Sequence, residues 1–223
     1  MPIAKINLFA EAENITQPFL VVDLADIDDF VARLFISQGM VAWHKHIDQE
    51  QLFLVLDGEL TVESEWGNNT LRSGELAVIP KAVTHRCGSI VRTVALVFER
   101  KFFANRQNGR RRLFALKGAG KITPVSISAE ALQLTEPSAA RQLVTVDDLA
   151  LSLVQYAGKP QEYRCTGASE LLIVHEGSLT LETELGTATL ERAEMTIVPP
   201  GVKYRGVAQD TAVLLLATKG TSE

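Results

Sequence analysis

The sequence predicts an all-β protein made of two tandem β-barrels with a few short helices, and three observations carry that prediction. The chain is written twice. Displaced by 119 residues, the stretch Gly58 to Arg86 lies over Gly177 to Arg205 without a gap, and 12 of the 29 positions are identical. The register continues backward, with Asp28-Asp29 over Asp147-Asp148 and Gly39 over Gly158. Two copies of this length are a duplicated domain and too few for a solenoid. Within each copy the apolar segments are short and bounded by turn residues, the pattern of sandwiches and closed barrels. Finally, 223 residues with 46% apolar content suffice for two small cores and exclude a disordered chain.

The elements follow in order. Leu52 to Leu56 is apolar at every position, which predicts a strand covered on both faces. Asp57-Gly58 is a hairpin signal, and Glu59-Leu60-Thr61-Val62-Glu63 then alternates with period two, as a half-buried strand does. Trp66-Gly67-Asn68-Asn69 predicts the next turn. Short helices are expected at Ser128 to Leu134 and Ser138 to Gln142, ahead of the second copy. These readings divide the chain into a first barrel over 1–100, a basic linker over 101–125 and a second barrel over 126–223. The join holds Arg100, Lys101, Arg106, Arg110, Arg111, Arg112, Lys117 and Lys121 with no acid. A solvated linker is the expected use of such a run, and a patch for an anionic ligand is the alternative.

Composition narrows the function classes. Lys plus Arg is 22 against 27 for Asp plus Glu, a net charge of −5, which argues against a general nucleic-acid binder. No apolar run is long enough to span a bilayer. The start, MPIAKINLFAEAEN, has no charged-then-apolar leader, so a cytoplasmic protein is expected. Two cysteines, Cys87 and Cys165, make no disulfide framework. The Asn68-Asn69-Thr70 sequon then carries no glycosylation meaning in that compartment.

The chemistry lies in the first copy, which reads Gly39-x4-His44-x-His46-x4-Gln51-x6-Gly58 and then Gly74-x5-Pro80-x-Ala82-x2-His85-x3-Ser89. Strand alternation puts His44 and His46 on one side, and His85 arrives from far downstream. Three imidazoles converging inside a barrel suit one divalent transition metal: iron, manganese, zinc, nickel or copper. Strand parity places Met40 and Ala42 with His44, Phe53 and Val55 with Gln51, and Cys87 with His85. The expected pocket is therefore mostly apolar with a polar floor, and barrel packing is the equal alternative for Met40, Phe53 and Val55. Cys87 is expected to be a buried hydrophobe. His175 lies over Leu56 and is expected to be a non-ligand.

The two stretches resemble the paired motifs of the cupins, small jelly-roll β-barrels, and the resemblance covers both halves, so the whole chain looks like a bicupin of two cupin jelly-roll β-barrels. It implies a metal bound by His44, His46, His85 and the residue at Gln51. That position carries glutamate in the family. Glu50, next door, has the wrong spacing and the opposite strand parity. A neutral amide leaves the site one negative charge short and favours a three-histidine centre. Ala82 stands at the motif's glycine and Ser89 at its asparagine.

In the second copy the same shift turns His44 into Tyr163, His46 into Cys165, Gln51 into Glu170 and His85 into Tyr204. No imidazole remains, so this barrel is expected to hold no metal, with two phenols donating to Glu170. Two functions compete. One is a metal-dependent enzyme, a dioxygenase or isomerase by resemblance, whose open metal positions take a small substrate with neighbouring oxygens. Glu50 is the one carboxylate near enough to be nominated as its base. The other is a non-catalytic sensor or carrier of a small molecule, which the loss of the family's glutamate favours. Leu52, Leu54 and Leu56 are candidates for an apolar face between the barrels or in a homodimer.

Overall fold

A computed structural model of the chain describes residues 3–101, 120–136, 139–158 and 163–220. In chain order the elements begin with β1 (Lys5–Asn7), α1 (Leu8–Glu13), β2 (Val22–Ile27), β3 (Phe30–Met40), β4 (Gln51–Asp57) and β5 (Glu59–Ser64). They continue with β6 (Gly67–Arg72), β7 (Glu75–Ile79), β8 (His85–Arg100), β9 (Val125–Ser126) and α2 (Ile127–Ala131). The last are β10 (Arg141–Val146), β11 (Leu149–Tyr156), β12 (Glu170–Glu176), β13 (Ser178–Thr183), β14 (Gly186–Glu191), β15 (Glu194–Val198), β16 (Tyr204–Val207) and β17 (Ala212–Lys219). Among these elements no helix is long and apolar enough to cross a membrane.

The chain forms two compact units, Ala12–Ser126 and Met1–Glu11 with Ile127–Glu223. The expected boundaries of 1–100 and 126–223 are therefore corrected at both ends. β1 pairs antiparallel with β15, Ile6 opposite Met195, so the N-terminal strand completes the second barrel. β9 pairs with β7, Leu76 opposite Val125, so the end of the expected linker belongs to the first. Ile122 is likewise buried in the first barrel's core. Arg100 closes β8 and pairs with Asp29, and Lys101 bonds Asp26 at 3.0 Å. Lys121 is exposed. The other cations of the expected basic linker, Arg106 to Lys117, lie outside the described residues.

In the first unit β2-β3-β8-β4-β7-β9 run side by side, and β5 joins β6 to the start of β8. β8 bends to serve both layers: its first residues pair with β5, Ser64 opposite His85, and its later ones with β4, Leu54 opposite Leu96. The two layers close over Phe35, Phe53, Leu60, Val62, Leu71 and Val97. β5 alternates as read from sequence, with Leu60 and Val62 buried and Glu59 exposed. β4 is buried on both faces through Val55, with Leu52 and Leu54 at 0% and 2% exposure and Leu56 half-buried.

The duplication extends to the backbone. Gln51 faces Ile79 in one unit, and Glu170 faces Val198 at the same places in the other. Gly58 and Gly177 take φ of +87° and +76°, and a Cβ there would strike Thr93 Oγ1 at 2.5 Å or Thr211 O at 2.3 Å. Both conformation and space require glycine. Ala82 and Gly201 both sit at positive φ (62° and 78°), as do Gly74 and Ala193 (78° and 60°). The turns are thus kept even where the copies differ between alanine and glycine.

The helices differ from expectation. α2 covers the start of the 128–134 segment, but Arg141 and Gln142 are strand, paired with Leu153 and Ser152. α1 went unread. Asn7 caps it, its Oδ1 accepting from the Ala10 N–H at 2.9 Å, a signal visible in the sequence.

Candidate metal centre

The strand holding the first histidines does not run on. β3 shifts register between Ser37 and Gly39 and ends at Met40, where Gly39 takes φ +99°. An irregularity of this kind resets strand parity. Met40 and Ala42, expected on the pocket side, are therefore exposed, and Val41 lines the cavity in their place. Beyond it His44 pairs back onto His85, its N–H donating to the His85 carbonyl at 2.9 Å and its carbonyl accepting in return at 2.8 Å. His46 is held by the Ala82 N–H, which donates to its carbonyl at 2.6 Å.

These backbone ties bring the three imidazoles together. Ring centroids lie 4.4 Å apart for His44 and His85, 5.2 Å for His44 and His46, and 5.8 Å for His46 and His85. One nitrogen from each lies within 4.8 Å of the others. His44 Nδ1 bonds the Ala42 carbonyl and His85 Nδ1 the Val83 carbonyl, each at 2.9 Å. A carbonyl only accepts, so in the neutral ring Nδ1 carries the proton and Nε2 keeps its lone pair. His85 Nε2 is buried with no hydrogen-bond partner, and so is Gln51 Oε1. Burial lowers the His85 pKa to about 4; the Val83 bond opposes the shift and the charge of His44 adds to it. Imidazole lone pairs within 4.8 Å of one another, with His44 lining the same cavity as the unsatisfied Gln51 amide, fit a borderline divalent metal ion.

Beside the imidazoles lies a cavity of about 200 Å³. Phe19, Phe35 and Phe53 form its apolar wall, Cys87 adds to it, and His44 and Gln51 reach it. Val55 packs in the barrel core instead. Two charged groups unread from the sequence also line it: Arg33 from β3 and Glu99 from β8. Glu99 is 6% exposed. It pairs with Arg33 through Oε1, and its Oε2 accepts from Gln49 Nε2 and Gln51 Nε2, both at 2.7 Å. Arg33 also bonds Asp23 at 2.7 Å. The signal was present: both are charges inside apolar strands, at places where the other copy has Ser152 and Thr218. Glu50, expected as the nearby base, is not among the cavity-lining residues, whereas Gln49 bonds Glu99.

The thiols differ sharply. Burial pushes Cys87 up to about 12, whereas Cys165 is exposed. At pH 8 iodoacetamide is expected to label one thiol per folded chain, at Cys165, and two after denaturation. Labelling of both at equal rates in the folded protein would contradict this burial. The unfolded thiol ionises near 9 and the folded one near 12, so stability declines as pH rises through that window.

The second barrel corrects the ligand correspondence. The backbone pair matching His44 and His85 is Arg164 and Tyr204, and the Gly201 N–H bonds the Thr166 carbonyl where Ala82 bonds His46. Arg164 and Thr166, rather than Tyr163 and Cys165, thus occupy the places of His44 and His46. An extra residue before the segment and one fewer after it hide the slip. Tyr163 is 53% exposed and lies against Arg205. At Glu170, Tyr204 OH donates to Oε2 and Arg164 Nη2 bonds Oε1 at 2.6 Å, and the Glu170 charge also acts on the buried Tyr156 phenol. Glu170 and Tyr204 are 1% and 0% exposed. A guanidinium therefore supplies the positive charge beside the carboxylate in this barrel. His175 bonds Ser128 at 3.2 Å.

A cupin domain model matches residues 34–98. The uncharacterized protein YdbB of Bacillus subtilis is 34% identical over 96 residues, 43% of this chain and 85% of that protein. Solved structures share the fold. A cupin 2 conserved barrel domain protein from Leptotrichia buccalis superposes with a TM-score of 0.75 at 12% identity, over 99% of this chain and 98% of its own. A salicylate 1,2-dioxygenase from Pseudaminobacter salicylatoxidans gives 0.75 at 15%, over 97% and 84%.

Proposed function

Because the chain belongs to the cupin superfamily, we propose that it is a bicupin whose first barrel is a metal-dependent enzyme of the dioxygenase type, acting on a small molecule. The observation that carries this is the convergence of three imidazoles, one of which, His44, lines a mostly apolar cavity. His44, His46 and His85 would hold the ion, with Gln51 Oε1 as a neutral fourth donor. A bound divalent ion would supply Lewis acidity and, for iron, manganese, copper or nickel, oxygen activation. The phenylalanine wall binds the substrate's apolar body and excludes water, and about 200 Å³ is the size of one ring or a short chain. The salicylate dioxygenase neighbours include a complex with gentisate, a small hydroxylated aromatic acid, which supports the same size class.

The test is oxygen uptake by iron-loaded protein against catechols, hydroxybenzoates and β-diketones. Consumption with one of these classes is expected, and none with any of them would remove the oxygenase reading. The neutral Gln51 favours a second reading, a binding barrel without turnover. Saturable binding of a panel member without oxygen uptake would establish it.

Acid should empty the centre. Only neutral imidazole ligates, so metal content is expected to fall below the ordinary imidazole range and vanish below about 4, where His85 itself takes a proton. Without metal, the unfolded chain protonates at His85 near 6.5 but the folded chain only near 4, so stability also falls with pH across that window. Metal measured by dialysis and elemental analysis at stepped pH checks this. Retention well below pH 4 would contradict histidine ligation.

A further inference from the structure

We infer that Glu99 is a positioning residue of the metal centre: it turns the Gln51 amide so that Oε1 is offered to the ion, and it places a negative charge one hydrogen bond behind that neutral donor. The inference rests on the metal-centre reading above. Its first ground is donor chemistry. An ionised carboxylate only accepts, so the amide group facing Glu99 must be the NH2. Gln51 Nε2 indeed donates to Glu99 Oε2 at 2.7 Å, which leaves Oε1 buried and without a partner on the opposite side. Glu99 itself is committed: Arg33 holds Oε1, and Gln49 and Gln51 hold Oε2. It therefore acts through Gln51.

The second ground is the other barrel. There Glu170 on β12 stands opposite Thr218 on β17. The corresponding places in the first barrel are Gln51 and Glu99, one step along the ladder from Leu52 opposite Phe98. Each barrel keeps one carboxylate at this cross-strand pair, on opposite strands, and each carboxylate is ion-paired with an arginine: Arg33 with Glu99, Arg164 with Glu170. In the first barrel the acid has moved from the ligand position to the place behind it. An outer carboxylate that orients a ligand and raises its donor strength typically changes metal affinity roughly 10- to 100-fold.

The experiment is a double-mutant cycle on the full chain. Zn2+ affinity is measured by chelator competition for the wild type, Glu99→Gln, Gln51→Ala and the combined variant. Glu99→Gln is expected to weaken binding by roughly 10- to 100-fold, yet to add nothing in the Gln51→Ala background. The visible spectrum of Co2+-loaded protein is expected to shift in Glu99→Gln, because one donor has turned. Metal-free unfolding of each variant monitors the fold. If Glu99→Gln does not fold, Glu99→Asp, which keeps the charge but shortens the reach to Gln51, is expected to show the same weakening. Unchanged affinity and spectrum, or an equal loss with and without Gln51, would overturn the inference while leaving the metal centre intact. A wild-type protein that takes up no Zn2+ or Co2+ would overturn both.

Discussion

Elemental analysis of the untagged wild-type protein is expected to give close to one metal per chain, and the His44→Ala/His85→Ala variant none. The geometry makes this the largest effect available. Both rings have Nδ1 tied to carbonyls at 2.9 Å, so their Nε2 atoms are preset as donors. Zinc held by a full protein ligand set is worth roughly 10–16 kcal/mol. Losing two of three imidazoles therefore costs roughly half of that, more than a thousandfold in affinity. Because His85 is 1% exposed, the variant also leaves a hole, and the comparison needs a folding control. Metal should raise the melting temperature of the wild type and leave that of the variant unchanged. Metal retained in the variant, or none taken up by reloaded wild type, would sink the three-histidine centre.

The second large effect lies in the other barrel. Arg164→Ala is expected to destabilise the protein by about 2–3 kcal/mol without changing its metal content. Glu170 is 1% exposed and is held by the Tyr204 hydroxyl and the Arg164 guanidinium, so removing the guanidinium strands a buried carboxylate. The cost lies below the usual range for broken buried pairs because Arg164 is itself 38% exposed and water can enter behind it. Replacing the pair together, Arg164→Met with Glu170→Gln, is expected to recover most of the loss, since no buried charge then remains. Thermal unfolding of the three proteins decides it. An Arg164→Ala melting temperature equal to wild type would show that the guanidinium does not stabilise Glu170. A parallel loss of metal would place the metal in the wrong barrel.

Much of this molecule is legible without coordinates, for reasons visible in particular residues. Gly58 and Gly177 punctuate both copies because the turn demands positive φ and the space beside it is filled. Leu60 and Val62 alternate with Glu59 and Glu63 because one face of β5 meets the core. Three of the four histidines fall on the motif that the first barrel gathers. The failures are equally specific. Strand parity misplaced Met40 and Ala42 because it assumes an unbroken pleat, and the irregularity at Gly39 breaks it. The gapless shift misplaced Tyr163 and Cys165 because two compensating one-residue changes leave the flanking register intact. Only the backbone pair of Arg164 with Tyr204 exposes the slip.

What the sequence determined by itself is the local and the periodic: a duplicated all-β chain, its turns, and a histidine set on one copy. These are set by φ, by side-chain alternation and by residue chemistry, all of which act over a few neighbouring positions. What only the tertiary structure decided is which distant groups share a buried space. Arg33, Glu99 and Gln51 come from three strands, and Ile6 completes a barrel whose other strands follow more than a hundred residues later. Strand pairing across such separations depends on closing the whole sheet, and a linear pattern of apolar and polar residues does not record which edges meet.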